Sequence, residues 1–119
     1  MTLGTRILEN VLSRKNLSPI EETLALNLRA YKIEFEREYR FHNKRRWRFD
    51  FYIPSKNLLV ECQGGVWING GHNRGKGYTD NVEKMNEAVL MGYKVMWFTG
   101  DHVAAGTAID MIRSVEDAN

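Results

Sequence analysis

The spacing of apolar residues changes several times along this chain, and each change marks a new element. Residues 5–14 (TRILENVLSR) place Ile7, Leu8, Val11 and Leu12 on one helical face. A helix that short needs a partner, either the body of its own domain or another copy of the chain. Residues 1–17 are accordingly set apart as an N-terminal helical arm. The next helix has a clear start. Ser18 suits the N-cap, Pro19 the first helical position, and Glu21 completes a capping box. Ile20, Leu24, Leu28 and Tyr31 then form one stripe, predicting a helix over about residues 19–31.

From Ile33 the period becomes two. Ile33, Phe35, Tyr39 and Phe41 alternate with charged residues, which predicts a strand with a break near Arg37. The basic turn HNKRR (42–46) leads to a second strand with Trp47, Phe49, Phe51 and Ile53 on one face. Pro54-Ser55-Lys56-Asn57 signals a turn, and Leu58 to Gln63 a third strand. Residues 64–77 (GGVWINGGHNRGKG) hold six of the ten glycines and predict a flexible loop. Tyr78, Val82, Met85 and Val89 form a helical stripe read as core, with Gly92 as the C-cap. KVMWFT (94–99) predicts a buried strand, and Ala108 to about Val115 a last helix capped by Thr107. The order α-α-β-β-β-α-β-α is that of an α/β or α+β domain with a mixed sheet flanked by helices.

The second and third strands carry the most informative geometry. A four-residue turn between Ile53 and Leu58 pairs residues whose numbers sum to 111. Phe51 then meets Val60 and Phe49 meets Cys62 on the apolar face, and Asp50 lies opposite Glu61 on the other, with Arg48 opposite Gln63. Like charges directly opposed on a sheet are destabilising without a cation, a shared proton or a nearby Arg or Lys. Asp50 and Glu61, with a backbone carbonyl of the Glu61-Cys62-Gln63 strand such as that of Cys62, make an oxygen-rich site suited to Mg²⁺ or Mn²⁺. The plainer reading pairs Asp50 with Arg48 or Arg40 and leaves Glu61 on the rim. Glu21, close to the buried stripe of its helix, is the candidate third acid, whereas Glu22 points away from that stripe. Its role as a cap explains Glu21 without chemistry.

Composition narrows the setting. The chain has 119 residues, 43% hydrophobic and 27% charged, enough for one globular domain. The net charge is only +2, but six Lys or Arg lie between Arg37 and Arg48 against the single acid Glu38. The one cysteine excludes an internal disulfide framework and a Cys-rich zinc site. With no apolar run of membrane-spanning length and no signal-peptide core, a cytoplasmic setting is expected.

Glu21, Asp50 and Glu61-x-Gln63, with the segments SPIEETLALNLRA, REYRFHNKRRWRFDFYIP, LLVECQGGVW, GGHNRGKGY and NVEKMNEAVLMGYKVMWFT, resemble the PD-(D/E)xK nuclease superfamily. The nearer likeness is to small phage and bacterial nucleases of the very-short-patch-repair-endonuclease-like group. The resemblance spans about two thirds of the chain, from Ser18 to Thr99. It implies a restriction-endonuclease-like α/β core within a single domain, 18–119, and Mg²⁺-dependent hydrolysis of DNA, with Mn²⁺ as a substitute. By its motif, Asp50 and Glu61 are metal ligands and Glu21 an accessory acid. Phe49 stands where the motif has proline, which supplies no chemistry. Gln63 stands where it has lysine, so Gln63 can orient the attacking water but brings no charge. Arg48, His72 and Lys84 are candidate replacements, ranked with His72 first. Lys84 comes last because it lies on the side of its helix away from Val82 and Met85.

DNA contacts are expected from the basic stretch (Arg40, Lys44, Arg45, Arg46 and Arg48) and from Arg74 and Lys76 of the glycine loop, with Trp67 stacking on an unpaired base. The loop lacks a P-loop ending. The leading expectation is a nonspecific or structure-selective endonuclease acting on duplex or branched DNA in repair, recombination or phage replication, with a homodimer as the simplest way to cut both strands. A catalytically dead nucleic-acid-binding module is the alternative, and an RNA-directed nuclease a third.

Overall fold

A computed structural model describes residues 18–63 and 76–118. The arm, with its expected helix over 5–14, and the glycine loop bearing Trp67, His72 and Arg74 fall outside those residues. The described elements are α1 (Pro19–Ala30), β1 (Glu36–Arg40), β2 (Arg48–Ile53), a 3₁₀ turn (Pro54–Lys56), β3 (Leu58–Gln63), α2 (Lys76–Leu90), β4 (Lys94–Thr99), α3 (Gly100–Ala104) and α4 (Thr107–Ser114). Four strands form one mixed sheet in the order β1-β2-β3-β4, antiparallel except for the parallel β3–β4 pair. Helices flank both faces. None of the described helices is long and apolar enough to cross a membrane.

On one face Leu24, Ala25 and Leu28 of α1 pack with Phe51, Ile53, Leu58, Val60 and Phe98, together with residues of α3 and α4. On the other, Ala88 of α2 packs with Phe41, Trp47, Phe49 and Leu59. The β2–β3 register is the predicted one, with Phe51 opposite Val60 and Ile53 opposite Leu58. Asn57 takes a left-handed conformation (φ 50°) to close the turn.

Several expectations need correction. Ser18 caps α1 by accepting from the backbone N–H groups of Ile20 and Glu21, but the Glu21 carboxylate faces Arg37, 3.6 Å away, instead of closing a capping box. Glu22, expected to point outward, is buried and accepts a 2.9 Å bond from Arg37 Nη2. The last helix is capped by Gly106, whose φ of 83° suits a residue without a side chain, rather than by Thr107. The short α3 was not anticipated. It starts with a reciprocal box in which Thr99 Oγ1 accepts from the His102 N–H and His102 Nδ1 from the Thr99 N–H.

The largest correction concerns α2. Val82 and Val89 are exposed, while Lys84 and Ala88 face the sheet. Ala88 is small enough to let the helix close on Phe49 and Leu59, and Lys84 reaches a carboxylate below. Residues of these types do not register as an apolar stripe, although a lysine stem packs well on apolar surface.

Candidate functional site

β1 and β2 both change sides at one level of the sheet. Arg37 lies over the Phe51 ring on the α1 face, yet Tyr39 packs on the α2 face. In β2, Phe51 belongs to the α1 face and Phe49 to the α2 face. A regular strand puts residues two apart on the same side. The residue between each pair absorbs the reversal: Glu38, with φ 51°, in β1, and Asp50 in β2. The pairing skips the irregularity but keeps the same offset on either side, with Arg37 opposite Phe51 and Tyr39 opposite Phe49, so Glu38 and Asp50 stand at matching positions. The expected meeting of Phe49 with Cys62 fails for the same reason. Cys62 packs on the α1 face, and Phe49 has crossed to the other.

At this discontinuity acidic groups from three elements converge. Glu21 of α1, Glu38 of β1 and Asp50 of β2 each bring a carboxylate oxygen within 4.8 Å of the others. Asp50 Oδ2 accepts a 2.8 Å bond from the Cys62 backbone N–H, which fixes the carboxylate against β3. Burial raises Asp50 above the ordinary carboxylate range, a rise that the Cys62 bond opposes. Glu21 is pushed up to about 7, first by burial, then by the charge of Asp50, with Arg37 pulling it down. Such crowding of partly buried carboxylates favours a proton or a cation among them.

Glu61 of β3 is also pushed up to about 7, by burial and by Asp50, so it shares the field of the same aspartate. It falls outside the trio above and has its own cation. Lys84 Nζ donates to Glu61 Oε1 over 3.2 Å while lying 4.3 Å from the centre of the Phe49 ring. Only 6% of Lys84 is exposed. The expectation that Lys84 could not readily reach the sheet is therefore overturned, because α2 turns a face other than its most hydrophobic stripe toward the core. The change of side at Asp50 is what brings Phe49 under the lysine.

The other expected residues are placed as follows. Gln63 ends β3, two residues beyond Glu61, opposite Thr99. The Cys62 thiol is pushed up to about 12 by burial and by the surrounding carboxylates, so it stays protonated, and Cys62 meets the acids through its backbone. Arg48 pairs with Glu38 at 3.1 Å. Arg40, Lys44 and Arg46 are exposed beside the hairpin. Arg45 is engaged within the protein: it bonds Asp80 at 2.7 Å and lies 3.9 Å above the Trp47 ring. Lys76 is the first residue of α2. Sequence reasoning missed Glu38. Its signal was available in the expected break beside it and in its place opposite Asp50.

No protein-family model matches the chain, and no curated protein is found to be similar to it. Among solved structures the chain is similar in fold to the Homing Endonuclease I-Bth0305I Catalytic Domain. The TM-score is 0.64 and the identity 19%, over 83% of this chain and 94% of that one. The mixed sheet with flanking helices is thus the fold of a known nuclease domain.

Proposed function

We propose that the chain is a divalent-metal-dependent endonuclease of the PD-(D/E)xK type that hydrolyses phosphodiester bonds in DNA. The observation that carries this reading is the convergence of Glu21, Glu38 and Asp50 at the one level where two strands change sides, with the Glu61–Lys84 pair alongside. The fold likeness to a homing endonuclease domain supports it. An all-oxygen donor set fits a hard cation such as Mg²⁺ or Mn²⁺, and the raised proton affinities of Glu21 and Glu61, caused first by burial and then by the charge of Asp50, mark a place where a bound cation is favoured. Asp50 and Glu61 are assigned as its holders, with Glu21 as the accessory acid and the Cys62 carbonyl as the backbone oxygen, and Glu38 is added as a further donor. When bound, the cation supplies charge that acidifies the attacking water and offsets the charge developing on the phosphate.

The remaining tasks fall to the chain's own side chains. Lys84 takes the place of the cation that Gln63 cannot supply: its ammonium fixes the Glu61 carboxylate and adds positive charge beside the scissile group. Gln63 orients the attacking water by hydrogen bonding. His72 is kept as a catalytic candidate from the glycine loop. Arg40, Lys44, Arg46 and Arg48 neutralise phosphates along the hairpin, and Trp67, Arg74 and Lys76 extend the contact, so binding is sensitive to salt and largely independent of sequence. Arg45 has a different part, bracing the turn against α2.

The test is cleavage of labelled duplex, flap, four-way-junction and single-stranded DNA, with a matched RNA, in Mg²⁺, Mn²⁺ or EDTA. Metal-dependent cutting of DNA that disappears in both Asp50→Ala and Glu61→Ala supports the assignment. DNA binding without cutting under either metal overturns it in favour of a binding module.

A further inference from the structure

The turn between β1 and β2 is held by a histidine that the proposed chemistry leaves unused. The His42 ring is mostly buried and meets Phe41 and Trp47 edge to face, at 5.9 and 5.2 Å between ring centres. Its Nδ1 accepts two backbone bonds, from the Lys44 N–H at 3.1 Å and the Arg45 N–H at 3.0 Å. A ring nitrogen that accepts hydrogen bonds carries no proton, so the proton of the neutral ring sits on Nε2. Nε2 then donates to Glu87 Oε1 of α2 over 3.2 Å. The imidazole does here what an Asn or Asp side chain does in many turns, bonding backbone groups two and three residues on. Through Glu87 it also ties the turn to α2.

The segment so held bears the basic side chains assigned to DNA. Residues 41–47 lie between β1 and β2, beyond the last ladder pair, Arg40 with Arg48. Lys44 and Arg46 are exposed there. The charged residues around the ring are Glu87 of α2 and, in the turn, Lys44 and Arg45, the latter bound to Asp80 and Glu83 of α2. A second proton on the ring would sit on Nδ1 and face the two backbone N–H groups, so both bonds would be lost. Histidine side chains ordinarily change charge between about pH 5 and 8. An added positive charge beside a DNA backbone by itself strengthens binding. Loss of the turn weakens it, so the two effects of acid have opposite signs and can be told apart.

We propose that His42 is a positioning residue for DNA: its neutral, Nε2-protonated ring shapes the 42–46 turn, and acid weakens the hold of Lys44 and Arg46 on phosphate. The inference rests on the reading of this chain as a nuclease that acts on DNA. Its test is binding of a dye-labelled DNA duplex in EDTA, at fixed ionic strength, by wild type, His42→Asn and His42→Ala. Asparagine can accept the same backbone bonds but does not titrate. Glu21 and Glu61 also change protonation in this range, but equally in each protein, so they cancel in the ratio of affinities. At about pH 8 His42→Asn should bind within about twofold of wild type, and by about pH 5.5 wild type should weaken about fivefold relative to it. His42→Ala, without an acceptor, should bind weakly at both. A ratio that stays constant, or wild type gaining on His42→Asn in acid, would overturn the inference and leave the nuclease reading standing. If no protein binds DNA at any pH, that reading fails and takes the inference with it. Nitrogen-15 NMR of the wild type decides the matter without a variant: at about pH 8 the His42 Nδ1 should carry no proton, and a proton found there would overturn the proposal.

Discussion

Replacing Lys84 by methionine keeps the stem and removes the ammonium, which isolates the electrostatics of the Glu61–Lys84 pair. In the native chain burial and Asp50 push Glu61 up to about 7 even though Lys84 pulls it down, so loss of Lys84 moves the folded-state value higher still. In the unfolded chain a glutamate titrates at about 4.3. The folded state therefore holds the proton more tightly. The stability this contributes is fully present below the unfolded value and is lost as pH rises through the folded one. In the native protein that loss is complete a little above pH 7. In Lys84→Met it continues, at up to about 1.4 kcal/mol per pH unit. Near pH 6 the substitution removes little more than a charge-assisted hydrogen bond and the contact over Phe49, about 1–2 kcal/mol together. By about pH 9 the deficit should have grown further, by up to about 1.4 kcal/mol for each pH unit that the loss of Lys84 adds to the Glu61 value, and by less for the 18% exposure of the Glu61 side chain. Urea denaturation of both proteins at several pH values measures the gap. A gap that stays constant or narrows as pH rises would refute the reasoning.

Other expectations follow from the same geometry. Mn²⁺ affinity, measured by calorimetry, should strengthen as pH rises through about 7, because Glu21 and Glu61 must release protons to act as ligands. Glu38→Gln should weaken Mn²⁺ binding by about 10-fold or more while leaving the melting temperature nearly unchanged, since this exposed residue contributes charge rather than packing. Phe49→Ala should cost about 3–5 kcal/mol in chemical denaturation, because the ring is fully buried and also supports Lys84. Arg45→Ala should reduce stability more than the exposed Lys44→Ala, with fluorescence titration showing the larger relative loss of DNA affinity for Lys44→Ala.

Much of this arrangement can be read from the residues. The turn at Pro54–Asn57 and the alternation on either side specify the β2–β3 register as far as Phe51 and Val60, with Asp50 and Glu61 the next residue of each strand, and Ser18-Pro19 locates the helix that brings Glu21. What alternation cannot reveal is a reversal of side within a strand. Glu38 with its positive φ and Asp50 exchange the faces of their neighbours, so Phe49 and Phe51 read as one stripe yet serve two cores. A helical moment likewise favours Val82 and Val89 over Lys84 and Ala88, because it weighs hydrophobicity and ignores the fit of a small residue or the reach of a buried lysine toward a carboxylate. The two readings conflict along α2 except at Met85, which does pack against the core. Exposed valines at 82 and 89 on a correctly located helix are what that conflict leaves behind.

The most direct test of the central claim is to locate the metal. Crystals of the protein soaked in Mn²⁺ should give an anomalous peak between Asp50 and Glu61, with carboxylate oxygens as ligands, Glu21 or Glu38 contributing, and Lys84 still on Glu61. The peak should vanish in Asp50→Asn. A manganese ion bound away from Asp50, or none at any concentration that supports cleavage, would contradict the account.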